Sequence, residues 1–297
     1  MNSLPIIQQI LPTLKARSIR HVEELQTLWS GYGTIERLTL EGGKYQTVIL
    51  KHIKLDEAKQ RDVADSYQRK HKSYLVETAW YKNYSMMCDN SCRVPKYLAS
   101  TVTKDTLFIV LEDLDAAGFP LRRSHLSREE LDACLFWLAN FHATFLSSSA
   151  EALWEIGTYW HLKTRYAELN AMPKGALKKK AHKLDEKLNS AQFQTLVHGD
   201  AKPENFCFSK DGFTAAVDFQ YVGRGCGIKD VAYFLWGLSP KQATKMLDLY
   251  FEHLGAAVKC RRPDLRFDAV RDEWESLFPV ACDDFERFLQ GWFVLRR

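Results

Sequence analysis

The sequence predicts an α+β chain in two lobes, a small antiparallel sheet over residues 1–114 and a larger helical part over 115–297. Three observations carry that reading. Strand-like runs separated by glycine turns fill residues 25–55, which is the pattern of a meander. The apolar run Leu107-Phe-Ile-Val-Leu111 stops at Glu112-Asp113, and helical periodicity takes over beyond it. A polar stretch, His198-Gly-Asp-Ala-Lys-Pro-Glu-Asn205, lies between a short strand and a hairpin.

Taken in order, residues 1–20 read as a short helix broken by Pro5 and Pro12. Leu25–Trp29 is a first strand, Ser30-Gly-Tyr-Gly33 a turn, and Thr34–Leu40 a second strand. Glu41–Lys44 turns the chain into a third strand, Tyr45–Ile53. Lys51 is the odd residue there, because an ammonium on an apolar strand is costly unless it finds a partner. The charged residues 56–72 read as an exposed connection or a partly ordered helix. From Ser73 to Tyr84, Glu77, Trp80, Tyr81 and Tyr84 recur at helical spacing and make an aromatic face around one acid. Ser127-Arg-Glu-Glu130 is a capping box that opens a helix running past His142, which reads as a hydrogen-bonded core residue. The basic run Lys178–Lys183 lacks interleaved aromatics and is followed by Asp185-Glu186, so it reads as a solvated helix face. Residues 236–297 are helical and offer both acids and aromatics to a pocket.

The bulk numbers narrow the function classes. At 46% hydrophobic the chain is globular, and a net charge of +4 falls short of the concentrated patch that nucleic-acid binding needs. No run approaches the roughly 18 apolar residues of a membrane span, and no signal peptide is evident, so a soluble cytoplasmic protein is expected. Seven scattered cysteines fit a reducing compartment. Cys88 and Cys92 read as ordinary thiols, since no second ligand pair follows to close a zinc site.

The polar stretch carries the chemistry. Thr195–Val197 is a strand, Phe206–Ser209 and Phe213–Phe219 are the arms of a hairpin, and Lys210-Asp-Gly212 is its turn. The hairpin brings Asn205 at its start beside Asp218 at its far end, with Asp200 five positions before Asn205. One carboxylate free to take a proton, with an amide and a second carboxylate set for a hard cation, suits Mg²⁺-dependent phosphoryl transfer.

His198-Gly-Asp-x-x-x-x-Asn205 followed by Asp218-Phe-Gln220 resembles the aminoglycoside phosphotransferase and choline kinase-like superfamily, relatives of protein kinases. Asp218-Phe-Gln220 with Asp230-Val-Ala-Tyr-Phe-Leu235 is most similar to the ecdysteroid-kinase-like branch. The motif core spans 198–235 and a looser likeness runs from Gly31 to Phe234. The resemblance implies a two-lobed protein-kinase-like fold that uses ATP and Mg²⁺. It makes Asp200 the base or orienting group, Lys202 a cation over the γ-phosphate, and Asn205 and Asp218 the metal ligands. Lys51 would hold the α- and β-phosphates with Glu77 as its partner. Gly31 and Gly33 would cover the phosphates, although alone their turn reads as an ordinary hairpin. Backbone near Glu112 and Leu114 would meet the adenine edge, His198 would anchor the loop, and Asp230 would be an N-cap and brace. Only eleven residues separate Asp218 from Asp230, which leaves no room for an activation segment. The expected acceptor is therefore a small molecule, with choline-like, amino-sugar and sterol-like candidates all open. A catalytically silent nucleotide-binding scaffold and a protein kinase are the alternatives, and the oligomeric state stays open.

Overall fold

The computed structural model describes residues 10–28, 31–54, 64–103 and 106–296. Its N-terminal sheet comprises β1 (Ser18–Thr27), β2 (Gly33–Glu41), β3 (Thr47–Lys54), β4 (Tyr97–Val102) and β5 (Thr106–Glu112). The strands run antiparallel in the order β1-β2-β3-β5-β4. Strand alternation gives the sheet two different faces. On one, Leu38, Leu40, Val48, Leu50, Phe108 and Val110 share a small core with Ile10 and Leu14 of an N-terminal helical turn. On the other, Ile53, Leu107, Ile109 and Leu111 share a core with Tyr74, Trp80 and Tyr81 of α1 (Ala64–Asn83). Lys51 sits two residues before Ile53 and therefore points to the α1 side.

Three local expectations change. The first strand starts at Ser18, seven residues before the expected Leu25. Most of β1 is exposed at the sheet edge, so Arg20, His21, Glu23 and Glu24 give it no alternating apolar signal. The expected N-terminal helix is helical over residues 10–14 only; residues 1–9 lie outside the described residues, as do Trp29 and Ser30. The helix expected from Ser73 begins at Ala64, so it takes in the later part of the charged stretch, while 56–63 lie outside the described residues.

The C-terminal part holds α2 (Arg128–Thr144), α3 (Tyr166–Ala171), α4 (Ala176–Asn189), α5 (Ile228–Phe234), α6 (Pro240–Arg261) and α7 (Phe267–Leu295). α2 opens on the capping box, Ser127 Oγ accepting from Glu130 N–H and the Glu130 carboxylate accepting from Ser127 N–H. It packs on α6, and α3, α4 and α5 pack on α7. Among the described residues no helix is long and apolar enough to cross a membrane.

Two small sheets support the polar loops. β7 (Thr195–Val197) pairs with β10 (Gly223–Gly225). β8 (Phe206–Phe208) lies between β6 (Leu121–Arg122) and β9 (Thr214–Ala216). Gly212, at φ +84°, closes the β8–β9 hairpin, with Ser209 N–H on the Phe213 carbonyl at 2.9 Å. The loop leaving β7 and the loop leaving β9 run side by side, joined by Val217 N–H on the Asn205 carbonyl at 2.9 Å.

Candidate active site

The two loops touch because Gly199 has no side chain. At φ +82° its Cβ would fall 2.2 Å from the Tyr221 carbonyl oxygen. His198 is fully buried and bridges the loops, its Nδ1 accepting from Asp200 N–H at 3.2 Å and its Nε2–H donating to the Val217 carbonyl at 3.0 Å. Burial keeps its pKa low, so the ring stays neutral and in that tautomer. Asp230 braces the same loop. Its carboxylate accepts the N–H of His198 at 2.6 Å and of Gly199 at 2.9 Å, with His142 Nε2 at 3.2 Å. The expected N-cap role is corrected: Gly227 precedes α5, and Asp230 lies inside its first turn with its oxygens committed to the loop. His142 is a core residue, with Tyr250 Oη 2.8 Å from its Nδ1.

Asp200 is 7% exposed and held from three sides. Asn205 Nδ2 donates to its backbone carbonyl at 2.8 Å and to Oδ2 at 3.2 Å. Tyr233 Oη donates to Oδ1 at 3.1 Å, and Lys202 Nζ stands 3.4 Å from Oδ2. Burial pushes the Asp200 carboxyl up to about 6, against the pull of Lys202.

Asp218 faces the same space from the second loop. Its φ of +66° is a left-handed conformation that non-glycine residues adopt rarely, and such backbone gathers at functional sites. Lys51 Nζ lies 2.7 and 2.9 Å from the Glu77 carboxylate oxygens and 3.3 Å from Asp218 Oδ1. Burial works against the Lys51 charge, but Glu77 and Asp218 outweigh it and its pKa rises. Gln220 Nε2 donates to Asp218 Oδ1 at 2.6 Å, while its Oε1 accepts from Lys70 Nζ at 2.7 Å and Ser73 Oγ at 3.3 Å. Burial raises the Asp218 pKa, yet the charges of Lys51, Lys70 and Lys202 bring it below the usual range. The carboxylate is therefore ionised and flanked by these lysines.

Lys51, Glu77, Asp200, Lys202, Asn205, His198, Asp218 and Asp230 thus form one connected group. The remaining expected residues, Gly31, Gly33, Glu112 and Leu114, lie outside this group, in the N-terminal part. Gly33 is needed by its own hairpin, where a Cβ would lie 1.9 Å from the His52 carbonyl oxygen. Gly31, at φ +69°, has no atom within 4 Å of its Cβ position and donates N–H to the Leu28 carbonyl at 3.0 Å. Glu112 ends β5 with its carboxylate on Arg93 and its N–H on the Lys96 carbonyl at 2.9 Å. The Leu114 carbonyl accepts Phe119 N–H at 2.8 Å.

Two further residues that bond to this group, Lys70 through Gln220 and Tyr233 through Asp200, escape sequence reasoning. Lys70 lies within a run of charges, and only its spacing to Ser73, Tyr74 and Glu77 along one helical face could have marked it. Tyr233, three residues after Asp230, shares a face of α5 with it. Two of the C-terminal acids are committed to structure: Glu273 accepts the N–H groups of Gln192 and Phe193, and Asp284 pairs with buried Arg287. The aromatics Tyr159, Phe285 and Phe288 instead adjoin Tyr233 and each other.

With this geometry in place, comparison with known proteins is decisive for the family. Residues 54–265 match the sequence model of the phosphotransferase enzyme family. The chain belongs to that family. No curated protein sequence matches the chain. Among solved structures, macrolide 2'-phosphotransferase MphH from Brachybacterium faecium superposes with a TM-score of 0.57 at 12% identity, covering 99% of this chain and 93% of that one. A thermostable mutant of aminoglycoside phosphotransferase APH(4)-Ia, in ternary complex with ADP and hygromycin B, gives 0.51 at 10% identity, covering 99% and 98%. Aminoglycoside-3'-phosphotransferase of type VIII gives 0.50 at 15% identity, covering 94% and 99%. At these identities the likeness is one of fold. This phosphotransferase-family chain has the two-lobed α+β kinase-like architecture, with a five-stranded antiparallel sheet beside a helical part.

Proposed function

We propose that the chain transfers the γ-phosphate of ATP to a hydroxyl of a small-molecule acceptor, with Mg²⁺. The observation that supports this reading is the convergence of Asp200, Asn205, Asp218 and Lys51 from three separated stretches of chain. The donor set suits a hard cation. Asp218 is held ionised, and Asn205 commits its N–H to Asp200, which leaves its amide oxygen to offer. Mg²⁺ between Asn205 and Asp218 would supply charge neutralisation on the phosphate oxygens.

The protein's own groups carry the rest. Lys51, fixed by Glu77, reaches into the cleft toward Asp218 and would grip the α- and β-phosphates. Asp200 accepts the hydrogen bond of the acceptor hydroxyl and takes its proton as the oxygen bonds to the γ-phosphorus. The bond from that phosphorus to the bridging oxygen breaks, and ADP leaves with the electron pair. Lys202 offsets charge on the transferred group. The Leu114 N–H would meet the purine edge, since its carbonyl already takes Phe119. Gly31 and Gly33 would shape the roof. We place the lobe boundary at residue 114, and within the family we place the chain in the ecdysteroid-kinase-like branch on Asp218-Phe-Gln220.

A base must be deprotonated to act, and burial raises the Asp200 pKa. The value of kcat/KM is therefore expected to fall about tenfold per pH unit below about 6 and to level off above about 7. Initial rates in overlapping buffers check this; a profile flat down to about pH 4.5 contradicts Asp200 as base. The reading as a whole is tested by a panel of choline-like, amino-sugar, sterol-like and phenolic alcohols assayed for ADP release. Mg²⁺-dependent turnover with at least one acceptor, yielding a phosphate monoester by ³¹P NMR, is the expected outcome.

A further inference from the structure

Gln220, just beyond Asp218, is strung between that carboxylate and α1. The residue is 4% exposed, and its amide meets donors on one side and an acceptor on the other. Lys70 Nζ donates to Oε1 at 2.7 Å and Ser73 Oγ to the same oxygen at 3.3 Å, both from α1. Nε2 donates to Asp218 Oδ1 at 2.6 Å. The amide has a single orientation here, because turning it over would set N–H groups against an ammonium and an oxygen against a carboxylate. Trp154 Nε1–H donates to the Gln220 backbone carbonyl at 2.8 Å and fixes the main chain at the same point.

Asp218 depends on this hold. It lies in neither a strand nor a helix, and its side chain is 35% exposed, so its direction is set by its partners. Oδ1 takes both of them, Gln220 Nε2 at 2.6 Å and Lys51 Nζ at 3.3 Å, and Oδ2 accepts no hydrogen bond among the described residues. Lys51 is the looser hold, since its ammonium is closer to the Glu77 oxygens, at 2.7 and 2.9 Å. A phosphate drawn to Lys51 would loosen it further, which leaves Gln220 as the group that fixes the carboxylate.

On the reading of Asp218 as a Mg²⁺ ligand, we propose that Gln220 is its positioning residue, filling Oδ1 from the α1 side and leaving Oδ2 as the oxygen that ligates. Hydrogen bonds behind a ligating carboxylate orient it, and losing one typically costs roughly 10–100-fold in metal affinity. Lys70 and Glu77 lie seven residues apart on one face of α1, so that helix reaches Asp218 twice, through Gln220 and through Lys51.

The test is calorimetric titration of ADP into wild type, Gln220→Met and Gln220→Asn at a series of free Mg²⁺ concentrations, from EDTA to saturation. Met keeps the reach of the side chain and makes neither bond; Asn keeps the amide but is one methylene too short to span Lys70 and Asp218. The Mg²⁺ concentration that half-completes the tightening of ADP is expected to rise at least about tenfold in Gln220→Met, and to rise in Gln220→Asn, while ADP affinity in EDTA stays close to wild type. An unchanged Mg²⁺ midpoint in the variants that fold overturns the proposal and leaves the phosphotransfer reading intact. A raised midpoint that comes with an equal loss of ADP affinity in EDTA also overturns it, because that is the mark of a collapsed cleft. Wild type that binds ADP equally with and without Mg²⁺ overturns the phosphotransfer reading, and the proposal with it.

Discussion

Replacing Asp200 by Asn is expected to lower the transfer rate by roughly 10²–10⁴-fold while leaving nucleotide affinity and melting temperature close to wild type. The substitution keeps the shape of the side chain. An Asn oxygen can still accept from Asn205 Nδ2, and its NH₂ can meet the oxygen of Tyr233 after that hydroxyl rotates. What disappears is the ability to take a proton. Lys51 and Asp218, the groups proposed to meet the nucleotide, keep their partners. Rates and ADP affinity measured on one preparation separate the two effects. A variant that turns over within tenfold of wild type contradicts Asp200 as the base, and one that also loses nucleotide would point to a collapsed loop.

Lys51→Met is expected to act on both activity and fold. Glu77 is 1% exposed, and Lys51 is the cation that holds it at 2.7 Å. Removing one member of a buried pair typically costs roughly 3–5 kcal/mol, because the other charge is left without compensation. Burial already pushes the Glu77 carboxyl up to about 7 against the pull of Lys51, and the variant pushes it higher. A carboxyl whose folded pKa exceeds its unfolded value contributes stability at low pH and loses it as pH rises through the folded pKa. The gap in melting temperature between wild type and variant should therefore widen from about pH 5 to about pH 8. Thermal unfolding across that window checks it, and Lys51→Met combined with Glu77→Gln should recover much of the stability but none of the nucleotide binding. A single variant as stable as wild type at all pH values would mean that Glu77 is satisfied by other groups.

Physical locality explains what the sequence disclosed. Asp200 and Asn205 share one tight loop, and Asp218 is returned to them by a hairpin with an Asp-Gly turn, so short-range spacing suffices to bring them together. Lys51 and Glu77 were legible one at a time, each as a charge misplaced on an apolar element. Lys70 was not, because its role depends on Gln220, 150 residues away, and its sequence neighbours are charged for solvent reasons. Strand β1 escaped because an exposed edge strand needs no apolar alternation. Asp230 is legible as a brace but not in its place on the helix, since a buried carboxylate that takes two loop amides looks in sequence like an N-cap.

The most direct test of a metal-gripping phosphotransfer centre is titration of ADP into wild type and Asp218→Ala, each in Mg²⁺ and in EDTA. Wild type should bind at least about tenfold more tightly with Mg²⁺ than without, and Asp218→Ala should show no difference between the two buffers. Wild-type affinity that is the same in EDTA, or a Mg²⁺ effect that persists in Asp218→Ala, would contradict it.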